Sequence, residues 1–529
     1  MIGAPEYTTW RNNTNTSWWK DPGLRRSMVH VFVLYLCVFT FGYDGSLLNG
    51  LQTLPQWQTY FNHPAGQQLG LISASFYFPK IVTPVIASWI ADRFGRRWCL
   101  LVGSVISVAG GLVQTFANGP GMFMGGRAML GGGLAFQATV APPLIAEICH
   151  PRLRSVAAGT YLCTYYVGST TSAWLCYGLL GWSSTWAWRL PCLVQIMGTF
   201  IVGVYISCGL MVESPRWLFS KGRDGQACAD LARMHANGDV EDELVTMEIK
   251  EIKDGLERDS AAGSTSYLAF FKTPGNRKRL LVVIVLASGT QLNGIGLVSY
   301  YLSPILKLIG ITNATQQAGI NGGLAIWNLI VATTAAQFVE RLGRRPLWLI
   351  GNAGMLAAFA IVTGLSGSFA AVPNTSVGTA VIPFLYIFYG FYDIAWTVLP
   401  NLCEHPEIVP YALRSKAMSV YVVTQAVSLA FNQYVNPIAL ATIAWKYYFV
   451  YIAVIIFYLV FAYFFLVETR RFTIEEVSRL FDGKEVAEDV VADSHRHPAH
   501  DGQENGAKGG EEGEGEDGSK IDVLHVERA

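Results

Sequence analysis

Long runs of apolar residues, separated by short polar connections, occupy most of the chain. FVYIAVIIFYLVFAYFFLV (449–467) is close to the roughly 20 residues that an α-helix needs to cross a hydrocarbon core about 30 Å thick. The pattern predicts twelve membrane-spanning helices, and hence an all-α membrane protein. Numbered 1 to 12, the predicted spans are 28–49, 69–89, 99–117, 122–147, 156–180, 190–211, 279–308, 318–338, 347–367, 378–402, 415–441 and 446–467.

The composition also indicates a membrane protein. Hydrophobic residues make up 51% of the chain and charged residues 14%, whereas about a quarter of the residues in soluble proteins are charged. The first residues, MIGAPEYTTWRNN, lack a basic region followed by an apolar core, so we predict no cleavable signal peptide. The nine cysteines form no CxxC spacing and lie mostly in spans, so we expect neither disulfides nor a metal site.

Basic residues are concentrated in the even-numbered connections between spans. The positive-inside rule therefore predicts that these connections and both termini face the cytoplasm. The glycosylation sequons at Asn313 and Asn374 then lie outside, whereas those at Asn12 and Asn15 lie inside and are predicted to be unmodified. The basic residues concerned are Arg93, Arg96, Arg97, Arg152, Arg154, Arg341, Arg344, Arg345, Arg414 and Lys416.

Three motifs occur twice, at similar separations, which predicts two parallel halves of six spans each. A polar stretch between the halves, with helical charge patterning in DELVTMEIKEIKDGLERD, predicts linker helices. After about residue 484 the chain is too polar and glycine-rich to form a core, which predicts disorder; this tail is either a solvated appendage or a regulatory or turnover segment. The predicted parts are an N-terminal cytoplasmic tail (1–27), the first half (28–211), the linker (212–278), the second half (279–467) and a C-terminal cytoplasmic tail (468–529). The motif pairs are ADRFGRR (91–97) with ERLGRR (340–345), AEICHPRLRS (146–155) with PEIVPYALRS (406–415), and VESPRW (212–217) with VETRRF (467–472).

Together these motifs resemble those of the sugar porters of the major facilitator superfamily, over residues 28–482. FYDIAWTVLP, NPIALATIAWKYY and GTYLCTYYVGSTTSAW are similar to the fungal lactose-permease-like branch. The resemblance implies a major facilitator fold and a sugar transporter in the fungal plasma membrane.

The resemblance also implies an inner gate built from ion pairs at the cytoplasmic ends of the helices. Such pairs break and re-form when the two halves rock against each other. The alternative is that the arginines only anchor the topology. The predicted gate residues are Asp92, Arg93, Arg96, Arg97, Glu147, Arg154 and Glu213 in the first half, and Glu340, Arg341, Arg344, Arg345, Glu407, Arg414 and Glu468 in the second.

Four ionisable residues lie at membrane depth, where each needs a partner or a water-filled cavity. Asp44 in span 1 and Arg127 in span 4 match in depth, and in proton-coupled relatives an acid at this position faces a span-4 arginine. We predict that Asp44 binds the coupling proton and that Arg127 tunes it, a permanent structural ion pair being the alternative. Lys80 and Asp393 have no assigned partner. If Lys80 faces the substrate path, a sugar acid becomes more plausible.

The segment QLNGIGLVSYYL (291–302) matches the amide-rich span-7 pattern of sugar porters, which implies a sugar-contacting wall. Amides suit adjacent hydroxyls, and an aromatic face packs on a pyranose ring. Thr290 and Gly296 depart from the pattern, and Leu162 and Cys163 replace a span-5 glutamine. The shorter residue at 296 is expected to enlarge the pocket and to favour a disaccharide. The predicted substrate residues are Gln291, Asn293, Gly296, Tyr300, Tyr301, Trp396, Asn432 and Lys80.

The resulting functional prediction is a proton-coupled sugar symporter that works by alternating access, with lactose or cellobiose favoured. An uncoupled facilitator, a sugar-acid transporter and a non-transporting nutrient sensor are the alternatives. The sequence shows no paired nucleophile and base, no phosphate-binding loop and no metal-ligand spacing, so we do not expect an enzyme or a cofactor. The expected partners are the sugar, a proton and the lipid bilayer, with no nucleic acid and a monomeric chain.

Overall fold

The computed structural model contains helices and turns, and no strand, in the residues that it describes. These are 10–262, 266–397, 399, 408–409 and 411–466; the side chains of 258–262, 336–342, 411–412 and 414–415 are not described. The predicted C-terminal tail lies outside these residues, as do the gate residues Glu407 and Glu468.

Eight spans are single helices, and most extend beyond the predicted limits. Span 1, for instance, has 32 residues, which at about 1.5 Å per residue is longer than the hydrocarbon core is thick. The extra turns lie where polar residues are tolerated, so hydropathy alone does not reveal them. The helices are Pro22–Thr53 (span 1), Arg96–Thr115 (span 3), Pro120–Ile148 (span 4), Pro151–Gly178 (span 5), Ala314–Leu342 (span 8), Arg344–Ala371 (span 9), Tyr411–Ile443 (span 11) and Tyr448–Phe465 (span 12).

The other four spans are interrupted. An irregular backbone at membrane depth leaves polar groups that must be satisfied by neighbouring protein or by water in a cavity. The pieces are Gly66–Ala74 and Thr83–Phe94 around the 3₁₀ turn Phe78–Ile81 (span 2), Trp186–Val194 and Met197–Ser207 (span 6), Pro274–Leu292, Ile295–Tyr300 and Leu302–Leu308 (span 7), and Thr375–Tyr392 followed by the π-helical turn Asp393–Thr397 (span 10).

Several helices begin at a proline preceded by a capping side chain. Asp21 accepts a hydrogen bond from the Leu24 N–H at 3.0 Å before Pro22, and Thr273 accepts one from the Asn276 N–H at 3.2 Å before Pro274. Proline suits the first helical position because no intrahelical hydrogen bond needs its nitrogen there. The local sequence thus determines where spans 1 and 7 start.

Within the described residues, nine helical stretches are long and apolar enough to cross a membrane. Spans 11 and 12 are joined in one of these stretches, Lys416–Phe465, and spans 2 and 5 are not among them. Span 2 is interrupted. Span 5 carries the hydroxyl-rich run TYLCTYYVGSTTS, which lowers its apolarity without shortening the helix.

The segment before span 1, the connections after spans 2 and 4, and the linker helices meet at one end of the bundle, which we call the linker end. The Asn13 N–H donates to Asp242 at 2.9 Å, and Asn237 donates to the Asn13 carbonyl at 2.7 Å and to Asp21 at 3.0 Å. The N-terminal segment is therefore tied to the linker through its backbone.

The remaining short helices are Trp18–Lys20, Pro55–Tyr60, Pro215–Ser220, Asp224–His235, Glu243–Ala262, Ala269–Lys272 and Ala444–Tyr447.

Spans 1 and 5 pack backbone against backbone. A Cβ atom added to Gly42 would lie 1.9 Å from the Tyr165 carbonyl oxygen, and one added to Gly168 would lie 2.0 Å from the Phe39 carbonyl oxygen. Only glycine permits such an approach. This contact brings the hydroxyl-rich face of span 5 beside span 1.

The two halves meet away from the linker end. Asn49 of span 1 donates to Asn321 of span 8 at 2.8 Å, and Gln52 donates to the Tyr300 carbonyl at 2.9 Å. Trp174 of span 5 also packs on span 8. These contacts close one side of the space between the halves.

Candidate functional site

Asp44 and Arg127 lie side by side, as their matched depths predict. Arg127 Nη1 is 3.4 Å from Asp44 Oδ1, and Arg127 Nε donates to the Ile72 carbonyl at 3.1 Å. Gln195 of span 6, which the sequence analysis did not identify, donates to the same Asp44 oxygen at 2.7 Å. Both charged residues are 1% exposed, so their attraction is strong but each has lost its hydration. One proton on Asp44 would remove the carboxylate that holds the arginine.

Lys80 lies in an aromatic cage beside this pair. Its Nζ is 3.8 Å from the ring centre of Phe41 and 3.9 Å from that of Phe76, and Arg127 Cζ lies 5.2 Å from the Phe76 ring centre. Lys80 Nζ is buried and makes no hydrogen bond to the described residues. Cation–π attraction offsets part of the cost of burying the ammonium group.

A polar cavity lies between the two halves, bounded by spans 1, 5, 7, 8 and 10. It holds about 400 Å³ of empty space, part of which is open to solvent. No charged side chain is among the described residues that line it. Because amides and hydroxyls both donate and accept hydrogen bonds, the lining suits a neutral, polyhydroxylated ligand. The lining residues are Gly45, Ser46, Asn49, Tyr165, Tyr166, Ser169, Val298, Ser299, Asn321, Leu324, Ala325, Asn328 and Tyr389.

Span 7 is broken within the predicted sugar-contacting wall. Gly294 has a φ of +94°, in the left-handed region that favours glycine. The Asn293 side chain accepts a hydrogen bond from the Ile295 N–H at 3.2 Å and so caps the next short helix. Asn432 of span 11 donates to the Gln291 carbonyl at 2.6 Å, a group that the break leaves without a helical partner. Asn293 and Asn432 thus stabilise the break.

Gly296 makes room for Asn432. A Cβ atom at position 296 would lie 2.2 Å from Asn432 Nδ2. Asn432 Oδ1 in turn accepts a hydrogen bond from Tyr451 at 2.8 Å. In this conformation the space beside Gly296 is therefore filled by an amide from span 11, and it does not enlarge the cavity.

The predicted aromatic contacts occupy three different surroundings. Tyr301 is buried and donates to the Gln433 carbonyl at 2.6 Å, whereas Tyr300 is partly buried, with its ring centre 6.0 Å from that of Tyr77. Trp396 packs inside the second half, 4.5 Å from Trp348 between ring centres. None of the eight predicted substrate residues lines the described cavity, although their neighbours Val298 and Ser299 do.

The polar residues that do line the cavity were not predicted from the sequence. Asn49, Asn321 and Asn328 are amides inside apolar spans, where a polar side chain is costly unless it is hydrogen-bonded or faces water. That cost could have identified the three asparagines as cavity residues from the sequence. Tyr166 and Tyr389 could not have been identified in this way, because tyrosines are common throughout these spans.

Five of the seven predicted gate residues of the first half, Asp92, Arg96, Arg97, Glu147 and Glu213, form a cluster at the linker end. Arg96 has nitrogens 3.6 Å from both Asp92 and Glu147. Glu213 accepts hydrogen bonds from the N–H groups of Arg96 at 2.9 Å and Arg97 at 3.2 Å, at the N-terminus of the span-3 helix. Burial nevertheless raises the pKa of the Glu213 carboxyl above its ordinary value.

The remaining gate residues have other contacts or are not described. Arg154 lies 3.6 Å from Glu248 of the linker, Arg93 lies over the Trp89 ring, and Arg345 donates to the Tyr463 carbonyl at 2.9 Å. Arg344 is buried. The side chains of Glu340, Arg341 and Arg414 lie outside the described part of the chain.

A family model described as "Sugar (and other) transporter" matches residues 30–481. The chain belongs to this family. It is a sugar transporter and not an enzyme, and the predicted all-α membrane fold of the major facilitator type, with twelve spans in two halves, is confirmed.

This sugar transporter is similar to several fungal proteins of known name. It is 26% identical to a high-affinity glucose transporter of Kluyveromyces lactis, covering 85% of this chain and 86% of that one, and 27% identical to the MFS glucose transporter mfs1 of Aspergillus flavus, covering 85% and 90%. It is also 26% identical to a quinate permease of Emericella nidulans, covering 84% and 86%. The inward-open xylose transporter XylE of E. coli shares its fold, with a TM-score of 0.71, 20% identity and coverage of 86% and 100%.

Proposed function

We propose that this sugar transporter imports a neutral sugar together with a proton, by alternating access to the cavity between its halves. The observation that carries the proposal is the cavity itself, whose described lining offers amides and hydroxyls and no charge. A neutral polyol can satisfy those groups with its own hydroxyls, whereas an anion would find no opposite charge there.

The preferred substrate in this proposal is a disaccharide such as lactose or cellobiose. The resemblance of FYDIAWTVLP, NPIALATIAWKYY and GTYLCTYYVGSTTSAW to the lactose-permease-like branch supports this choice. The support does not come from Gly296, because Asn432 fills the space beside it.

Asp44 is the proposed proton carrier. Its carboxylate is held by Arg127 and Gln195, and protonation would free both partners to rearrange. The arrangement lies beside the cavity, since Gly45 and Ser46 follow Asp44 directly and line the cavity. Proton binding and sugar binding therefore act on the same turn of span 1.

We also propose that the linker end faces the cytoplasm of a fungal plasma membrane. Arg93, Arg96, Arg97, Arg152 and Arg154 all belong to that end, in keeping with the positive-inside rule. There the gate residues would pair across the halves when the transporter opens to the outside.

Labelled uptake in a yeast that lacks hexose and disaccharide transport tests the function. Lactose, cellobiose, glucose and galacturonate are compared, with and without a protonophore. We expect disaccharide accumulation that the protonophore abolishes. Asp44→Asn should lose accumulation but retain counterflow, and Asp224→Asn, a matched change at an exposed linker site, should behave like wild type.

Other outcomes would replace parts of the proposal. Uptake of glucose alone would overturn the disaccharide, and uptake of galacturonate alone would overturn the neutral substrate and point to Lys80. Uptake that stops when the inside and outside sugar concentrations are equal, and that the protonophore leaves unchanged, would indicate a facilitator. No uptake of any sugar from a chain that reaches the plasma membrane would favour a sensor.

A further inference from the structure

Asp393 is the carboxyl group of span 10, inside the second half. It is completely buried, at the start of the π-helical turn Asp393–Thr397 of span 10. In the described part of the chain, no lysine, arginine or histidine lies within ion-pair distance of it. It differs in this from Asp44, which has Arg127 beside it.

The charged residues on the helices around Asp393 stand near the helix ends. In span 5, Arg154 lies twelve residues before Tyr166, the residue that contacts Asp393. In span 7, Arg279 lies ten residues before Gly289, which contacts Trp396 beside Asp393. Arg345 precedes Gly351, which contacts Ala395, by six, or about 9 Å along the axis. Glu340 and Arg341 follow Asn328 by at least twelve residues, and spans 10 and 12 offer only tyrosines nearby: Tyr389, Tyr392 and Tyr458.

Hydroxyl and amide groups surround Asp393 instead of cations. Tyr166 donates to Asp393 Oδ1 at 2.6 Å, Thr397 donates to the same oxygen at 2.9 Å, and the two hydroxyls are 3.0 Å apart. The Asn328 amide nitrogen, turned toward its acceptors, is 3.3 Å from Oδ2. Tyr166 belongs to the first half, and the other three residues belong to the second.

The hydroxyl groups around Asp393 can bond to it both as a carboxylate and as a carboxylic acid. As a carboxylate, Asp393 accepts from Tyr166 and Thr397. With a proton on Oδ1, it donates to the Tyr166 oxygen, the Tyr166 hydroxyl turns to donate to Thr397, and Thr397 still donates to Oδ1. No heavy atom has to move, and every hydroxyl hydrogen keeps an acceptor.

The hydrogen bond from Tyr166 connects protonation with the movement of the halves. Separating span 5 from span 10 removes the shortest hydrogen bond to a buried carboxylate that has no cation to replace it, which is costly. Taking up a proton removes that cost. Tyr166 and Asn328 both line the cavity, so water there can deliver the proton and receive it back.

We propose that Asp393 is a second proton-binding site, which gains a proton when Tyr166 moves away and releases it when the contact forms again. The proposal rests on the proposed symport function and adds to it a carboxyl in the second half. About two protons then accompany each sugar, one on Asp44 and one on Asp393.

Two measurements test the site. The first is the ratio of proton influx to labelled sugar influx in the same cells. We expect about two protons per sugar for the wild type and half that for Asp393→Asn, whose amide can replace the carboxyl in the hydrogen bonds but not in proton transfer. Tyr166→Phe should also lower the ratio, whereas Tyr35→Phe, which removes a buried hydroxyl that bonds to Ala157, should not. A wild-type ratio of one, or an unchanged ratio in Asp393→Asn, would overturn the proposal.

The second measurement is the infrared difference spectrum of the purified transporter between acidic and alkaline pH. It requires no sugar, so it stays decisive if the chain transports none and the proposed function fails. The other carboxyl groups contribute bands that neither substitution changes. Beside these we expect one carboxylic-acid band that is lost in Asp44→Asn and another that is lost in Asp393→Asn. A spectrum that Asp393→Asn leaves unchanged would show that Asp393 does not titrate.

Discussion

Gln195 lies closer to the Asp44 carboxylate than Arg127 does. Its amide nitrogen is 2.7 Å from Asp44 Oδ1, whereas Arg127 Nη1 is 3.4 Å from the same oxygen. The neutral neighbour therefore makes the shorter contact, and the arginine divides its donors between Asp44 and the Ile72 carbonyl. A carboxylate held in this way depends on span 6 as much as on span 4.

We expect Gln195→Leu to lower the free energy of unfolding by about 1–3 kcal/mol, because it removes a hydrogen bond from a buried charge. In an Asp44→Asn background the same change should cost less, because the acceptor is no longer charged. Thermal unfolding of the four proteins in detergent measures this double-mutant cycle. Gln137→Leu, which removes a buried amide bonded to Ser104, is the control and should cost the same in both backgrounds.

Lys80→Met should leave the unfolding free energy unchanged or raise it, by up to about 4 kcal/mol, since a flexible apolar side chain replaces a buried charge that has no hydrogen bond to the described residues. Neutral sugar uptake should continue, because Lys80 does not line the cavity. Melting temperature and uptake are measured together, with Lys80→Arg as the charge-retaining control. A lower melting temperature for Lys80→Met would contradict this account of the cage.

Gly294→Ala should destabilise the protein by roughly 1–2 kcal/mol, because an L-residue is strained at a φ of +94°. Gly364→Ala is the matched control: it lies within the span-9 helix with open space around it and should be neutral or stabilising. Melting temperatures distinguish the two substitutions. Equal effects would mean that the break in span 7 does not depend on glycine.

The pH dependence of stability should show the contribution of His150, which lies between spans 4 and 5. Burial, with His235 nearby, lowers the pKa of His150 to about 3, whereas an unfolded histidine titrates near 6.5. Between these values the unfolded chain binds more protons, so stability is complete above about pH 6.5 and falls as the pH drops toward 3. His150 caps span 5, because its Nδ1 accepts a hydrogen bond from the Arg152 N–H at 3.2 Å. His150→Asn keeps a side chain that can cap span 5 and should flatten this decline in melting temperature. Identical profiles for the two proteins would refute the assignment.

The fold could be predicted largely because hydropathy and charge act locally. Twelve apolar runs and the alternation of basic connections were sufficient for the fold and the number of spans. The breaks in spans 2 and 6 were not foreseen, although Pro79 and Lys80 lie in the first interruption and Gln195 lies in the second. The break in span 7 was only indicated by its glycines, because its supporting group, Asn432, lies about 140 residues later in the chain.

The site was less predictable because it depends on which face each helix presents. Asp44 and Arg127 could be paired from their matched depths, which a sequence does reveal, together with the resemblance to proton-coupled relatives. Trp396 was expected to line the pocket, but in the π-helical turn Asp393–Thr397 it packs against Trp348. Asp393 stood out in the sequence, yet its partner Tyr166 belongs to the other half, and no local pattern connects the two.

The backbone contact between spans 1 and 5 affects how the transporter moves. With no side chain between Gly42 and Tyr165, neither helix can rotate or slide against the other without a steric clash. Span 1 carries Asp44 and span 5 carries Tyr166. One rigid pair of helices therefore holds both the Asp44 carboxyl and the hydroxyl that donates to Asp393. Any movement of this helix pair changes the surroundings of Asp44 and Asp393 at the same time. The order of the two proton transfers would then be set by the helix movement and not by the separate proton affinities of the two carboxyl groups.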